Sequence, residues 1–297
     1  MKNKQTLPYH LMLLPGLLLV IVFSYVPIYG VVIAFQRFIP ARGMFGDQKW
    51  IGLGNFEYLI NLPTVWQVLG NTLIIALGKI VLNTLLPIAV AILLNEVRSN
   101  LFKRTVQTLV YFPYFISWIV FGGIMIDLLS VSDGIVNNVI MALGFEPIFF
   151  LGDPDVFRGT LIVTDVWKTF GFITVIYLAA ITSIDSTLYE AAEIDGAGRL
   201  QKIRHITLPG MAMVIVLLMV LNLGNVLNAG FEQVFVLYSP LTYETGDIID
   251  TLVYRLGLLQ AQYGLATAVG LLKGLISFSL ISVSYYIAYR FFSYRLF

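Results

Sequence analysis

The stretch Glu190–Met211 reads EAAEIDGAGRLQKIRHITLPGM. It is a polar island, with acids, bases, three glycines and a proline near its end, set between two long apolar runs. Ser183–Thr187 supplies N-cap residue types and Leu188–Asp195 holds good helix formers. Gly196 permits a turn, and Gly198–His205 reads as a second short helix ended by Pro209. The expected product is a helix–turn–helix elbow, acidic in its first arm and basic in its second. Its apolar side would be Leu188, Ala191, Ala192 and Ile194. On local physics two readings stand: a docking element for a partner, and a plain connector.

The flanking runs decide the class. Of 297 residues 58% are apolar and 12% charged, against about 45–50% and about 25% in a soluble domain. An all-α integral membrane protein follows. Crossing a bilayer takes about 20 apolar helical residues. Six runs qualify: Leu11–Phe35, Val68–Leu94, Thr105–Leu129, Phe157–Ile181, Gly210–Ala229 and Leu265–Phe292. The first is too long for a signal peptide, and no small-residue cleavage pattern follows it. Pro15, Pro27, Pro87 and Pro113 fall inside runs and predict kinks.

Basic residues orient the chain. Of the 18 Lys and Arg, ten fall on one side, from Lys2 and Lys4 through Arg98, Lys103 and the island to Arg295; five fall on the other and three lie within runs. Both termini and the polar island are thereby expected in the cytoplasm. The outer segment Asp133–Asp155 contains an amphipathic stretch with Ile135, Val139, Ile140 and Leu143 at helical spacing, expected to lie on the membrane surface. A second outer segment, Phe231–Tyr263, mixes aromatics with acids.

Several chemistries are excluded. Net charge is +1, which offers no basic bulk for nucleic acid, and cysteine is absent. Gly78-Lys79 is followed by Ile80, so no phosphate-binding P-loop exists. His10 and His205 are the only histidines and lie far apart, and neither a zinc-protease nor a serine-nucleophile motif occurs. No catalytic or metal residue is expected, and no cofactor in this chain.

Charges and amides within the runs point to a solute path. An intramembrane lysine costs about 2.5–3.5 kcal/mol, so Lys79, Lys168 and Lys273 each need a partner. Asp165, three residues before Lys168, is a candidate for it. Asn222, Asn225 and Asn228 recur every third residue and are expected along one face of the fifth span. Amides offer donors and acceptors to hydroxyl-rich ligands, but equally serve as interhelical bonds. Asn222, Asn225, Asn228, Asp165, Trp167 and Lys168 are the candidate substrate-path residues.

Glu190-Ala191-Ala192, then Asp195-Gly196-Ala197, then Ile206-Thr207-Leu208-Pro209 resembles the EAA loop of permease subunits in binding-protein-dependent ABC importers. Six spans with this loop between the fourth and fifth are similar to the maltose-type carbohydrate permeases. Ile203 stands where that family often has an aromatic anchor. Three further strings resemble a subgroup importing polysaccharide-derived oligosaccharides: LLPGLLLVIVFSYVPIYGVVIAFQ near the start, WIGLGNFEYL from Trp50, and the segment from Phe231 to Lys273.

The resemblance implies a single transmembrane domain over 1–297, with a first span and outer loop at 10–60, a five-helix core at 65–292 and a coupling loop at 183–209. It implies that Glu190, Ala191, Ala192, Asp195, Gly196, Ala197, Ile203 and Pro209 dock on an ATPase. The implied partners are a second, related permease, two ATPase subunits that bind ATP and Mg2+, an extracytoplasmic solute-binding protein, membrane lipid and a sugar or oligosaccharide. Uronic-acid- or rhamnose-containing sugars are the candidate cargo. The rival expectation is a secondary transporter or channel working without ATP.

Overall fold

The computed structural model describes residues 3–292. Lys2 and Arg295, used above for orientation, lie outside the described residues. Among the described residues five helices are long and apolar enough to cross a membrane: Tyr9–Phe35, Pro63–Glu96, Pro154–Thr182, Arg199–Gly224 and Tyr263–Tyr286. A sixth candidate is a broken pair, Asn100–Phe115 and Trp118–Leu128, bent by 107°.

The broken span corrects the expectation of a continuous helix from Thr105 to Leu129. Pro113 has no N–H to continue the ladder, and Ile116 and Ser117 turn extended. The Ser117 hydroxyl then accepts from the Val120 amide and caps the next helix. The other prolines differ among themselves. Pro27 follows a π-turn at Ile21–Tyr25 and opens a tighter 3-10 stretch. Pro15 and Pro87 remain inside unbroken helices.

The described residues form two compact units. One comprises the chain up to Val65 with Leu252–Gly274. Its first span leads into a two-stranded hairpin, Gln36–Arg37 against Lys49–Trp50. Asn55 in the helix Gly54–Ile60 closes the turn by donating to the Ala34 carbonyl at 2.8 Å. Phe35 packs between Trp50 and Phe56.

The other unit comprises Trp66–Thr251 and the chain from Leu275. Toward the elbow, Ala91, Tyr177, Leu178, Ala180, Ile181 and Met211 form a buried cluster joining the second, fourth and fifth spans. At the opposite end the segment after the fifth span folds into the short helices Phe231–Leu237 and Tyr243–Gly246. Asn71 donates to the Glu244 carbonyl, and Arg158 donates to the Thr245 carbonyl and to Asn71, so loop carbonyls are held by side chains of the two long helices. The expected amphipathic helix spans Ile135–Ala142. Its Asn137 is fully buried and pins the surrounding loop through Ser130 and Ile148, while Ile135, Val139 and Leu143 are exposed.

Candidate functional site

The elbow is built from a capped helix and a glycine stop. Asp185 accepts from the Thr187 amide at 2.9 Å and starts the helix Ser186–Ile194. That bond to the backbone holds the Asp185 carboxyl below the usual carboxylate range. The helix ends with the Gly196 amide on the Glu193 carbonyl and the Ala197 amide on the Ala192 carbonyl at 2.8 Å. This paired closure requires a left-handed residue, and Gly196 supplies it with φ +77°. Asp195-Gly196-Ala197 is therefore a helix stop written in three residues.

The second arm bends back beside the first. The Lys202 ammonium meets the Glu193 carboxylate at 2.6 Å and holds it below the usual glutamate range. The Tyr189 and Thr207 hydroxyls are 2.9 Å apart. The arm corrects one expectation: Pro209 does not end it. The helix Arg199–Lys202 passes through a π-turn, Ile203–Thr207, and continues as the fifth span, Leu208–Gly224. A π-turn frees one ladder position, and Pro209 sits in the first turn after it, where a missing N–H costs little. Glu190, Ala191, Asp195 and Gly196 are exposed; Ala192, Ala197 and Ile203 are half-buried. Among the described residues the Glu190 carboxylate has no partner. Ile194 and Leu200 are 87% and 77% exposed, a large apolar offering at one end of the unit.

The second site lies in the middle of the long helices. A cavity of about 240 Å³ is lined by Lys79, Asn83, Asp165, Thr169, Asn222, Asn225, Asn228 and Gly230, with apolar neighbours. Four of the six residues expected on a solute path thus share one cavity. The asparagines reach it differently from the expected helical face. The fifth span ends at Gly224, and the chain unwinds through Asn225–Asn228 to Gly230, whose φ is +94°. Amides at 225 and 228 bond back to carbonyls three residues earlier, so the i, i+3 spacing is that of successive turns. Asn228 donates to the Asn225 side chain at 3.2 Å, whereas among the described residues the Asn222 amide has no partner.

Trp167 and Lys168 lie elsewhere. Trp167 lines an apolar cavity of about 460 Å³ with Met125, Phe150 and Val163. Lys168 donates to the Tyr114 carbonyl at 2.9 Å, with its ammonium over the Tyr114 and Trp118 rings. The expected Asp165–Lys168 pair is therefore corrected. Asp165 instead meets Lys79 at 3.3 Å and accepts from Asn83 at 3.0 Å. Lys79 also donates to the Ala229 carbonyl at 2.6 Å and to the Gln233 side-chain oxygen. Sequence reading left Lys79, Asn83 and Gln233 out of the site. Asn83 is one helical turn from Lys79 and could have been found that way; Gln233 sits in an aromatic outer segment with no such signal.

A polytopic helical unit with a polar cavity at mid-helix and a capped elbow at one end has the build of a solute permease. The chain belongs to the family of binding-protein-dependent transport system inner membrane components, whose signature spans residues 83–297. It is 43% identical over 282 residues to the polygalacturonan/rhamnogalacturonan transport system permease protein YteP of Bacillus subtilis strain 168, covering 95% of this chain and 88% of that one. Identity to LplB of the same organism is 40% over the same coverage. Among solved structures, a bacterial ABC transporter involved in the import of the acidic polysaccharide alginate superposes with a TM-score of 0.90 at 37% identity, covering 98% of both chains.

Proposed function

We propose that this chain forms half of the translocation path of an ATP-driven importer for acidic, uronate-containing oligosaccharides. The observation that carries the reading is the mid-membrane cavity where Asn222, Asn225 and Asn228 meet Asp165. Three amides offer both donors and acceptors to sugar hydroxyls, and the Asp165 carboxyl oxygens accept from hydroxyls. The acidic class rests on relatives named for polygalacturonan/rhamnogalacturonan and alginate transport.

The remaining parts follow the same reading. A second permease completes the path, and a solute-binding protein delivers the sugar from outside. Two ATPase subunits bind ATP and Mg2+ in the cytoplasm and dock on Glu190, Ala191, Ala192, Asp195, Gly196, Ala197, Ile203 and Pro209. Both termini then lie in the cytoplasm of a bacterial cell. Closure of the ATPases moves the elbow, and the long helices rock between two packed states rather than bending continuously.

Reconstituted proteoliposomes containing both permeases and the ATPases test this. Uptake of an oligogalacturonide presented by the binding protein should require ATP on the ATPase side. Uptake driven equally well by an ion gradient alone would overturn the ATP-driven reading. A triple Asn222→Ala, Asn225→Ala, Asn228→Ala variant that assembles and transports normally would overturn the cavity as the path.

A further inference from the structure

The asparagine segment is tied at its far end to the neighbouring helices. Helical carbonyls are freed where the fifth span unwinds, and in a membrane each freed group needs a donor. The carbonyl of Ala229, immediately after Asn228, receives the Lys79 ammonium at 2.6 Å. The same ammonium bonds the side-chain oxygen of Gln233, in the helix that follows. Gln233 is fully buried and passes the tie onward, donating to the Leu161 carbonyl at 2.7 Å and the Thr164 hydroxyl at 2.8 Å. Gly230 fits this arrangement twice. Its φ is left-handed, and a Cβ there would lie 3.0 Å from the Lys79 ammonium.

Of Lys79's contacts, the one to the Ala229 carbonyl is 2.6 Å and the one to Asp165 is 3.3 Å. A lysine recruited only to neutralise Asp165 would make the ion pair its tightest contact, near about 2.8 Å. Asp165 in turn has a second donor in Asn83, itself held by the Thr169 hydroxyl at 2.9 Å.

We propose that Lys79 is a positioning residue for sugar passage: its ammonium latches the unwound Asn225–Asn228 segment onto the second and fourth spans through Ala229 and Gln233, presenting the asparagines to the cavity. Lys79 acts on the sugar through those amides and not by binding the sugar's carboxylate, since all three of its donors are occupied. The inference rests on the cavity being the sugar path.

The test is the number of oligogalacturonide molecules imported per ATP hydrolysed, in the fully assembled reconstituted importer with saturating loaded binding protein. Lys79→Met and Gln233→Leu should each lower this ratio about tenfold, because hydrolysis triggered through the elbow continues while the cavity no longer receives the sugar. The double variant Lys79→Met, Asp165→Asn should stay as low as Lys79→Met. Recovery of the ratio in the double variant would overturn the latch and make Lys79 a plain counter-ion. A parallel fall of uptake and hydrolysis, leaving the ratio intact, would overturn it in favour of a general structural role. An unaltered ratio when Asn225 and Asn228 become Ala would remove the cavity reading beneath it, whereas a wild-type complex that imports without ATP would remove the importer reading.

Discussion

Lys79 and Asp165 are far apart in sequence, on the helices Pro63–Glu96 and Pro154–Thr182, and meet at 3.3 Å between the middles of these two membrane helices. Both side chains are largely withdrawn from solvent, at 9% and 15% exposed. A charge at that depth survives only when matched, and the match here is made across the unit and not along one helix.

The pair predicts an asymmetric response to substitution. Removing one partner of a buried pair leaves an uncompensated charge, at a cost of about 3–5 kcal/mol, whereas removing both is often nearly neutral. Asp165→Asn should therefore lower the thermal unfolding temperature of the detergent-solubilised complex markedly. Lys79→Met added to Asp165→Asn should restore only part of the loss, because the Ala229 carbonyl and Gln233 then lose their donor. Stability and transport then separate, because the double variant regains part of the first and none of the second.

At the elbow, Gly196 carries the prediction. A left-handed conformation costs a residue with a Cβ about 1–2 kcal/mol, and no atom lies within 4 Å of where that Cβ would be. Gly196→Asn, which tolerates this conformation best, should reduce substrate-stimulated ATP hydrolysis only slightly. Gly196→Pro cannot adopt φ +77° and lacks the N–H that closes the helix on Glu193. It should abolish stimulation or ATPase co-purification while the protein still inserts. Full stimulation in the proline variant would make the elbow a mere connector.

The elbow's second tie is sensitive to acid. The Lys202 ammonium lowers the Glu193 pKa in the folded elbow. A depressed carboxylate contributes stability above its unfolded pKa and loses it as pH falls through the folded one. The two arms should stay joined at neutral pH and loosen below the ordinary glutamate range. Hydrogen exchange at the amides of Ala197–Lys202, corrected for intrinsic rates, should rise there in the wild type. In Glu193→Gln it should already be raised at neutral pH and change little on acidification; an identical profile in both would discount the tie.

Much of this was legible in the residues. Six apolar runs became five continuous spans and one broken pair, because run length and hydropathy are properties of the chain alone. The helix stop at Asp195-Gly196-Ala197 was legible because glycine writes left-handed turns locally. The asparagine spacing was legible but ambiguous: three residues suits a helix turn and a chain of tight turns equally, and the end of the fifth span at Gly224 separates them. The Lys79–Asp165 and Lys79–Gln233 contacts were not legible, since long-range pairing leaves no local periodicity. Asp165 beside Lys168 offered a nearer partner on paper. Lys168 turned instead to a carbonyl freed at the break of another helix.

That break yields the last prediction. The bend at Pro113–Ser117 is held on the fourth span by three contacts from neighbouring turns. Lys168 donates to the Tyr114 carbonyl at 2.9 Å, the Tyr114 ring stacks on Phe172 at 4.2 Å, and Gly171 lets the backbones touch. A Cβ at Gly171 would fall 2.0 Å from the Val110 carbonyl oxygen, which is backbone and cannot rotate away. Gly171→Ala should therefore push the two helices apart and cost about 1–3 kcal/mol, the usual range for overpacking. Tyr114→Phe keeps the ring and the carbonyl, so it should be close to neutral. Lys168→Met removes the donor and the charge over the rings together and should fall between these two in thermal stability. If Gly171→Ala unfolds at the wild-type temperature, the close approach of the broken span to the fourth does not contribute to holding this unit together.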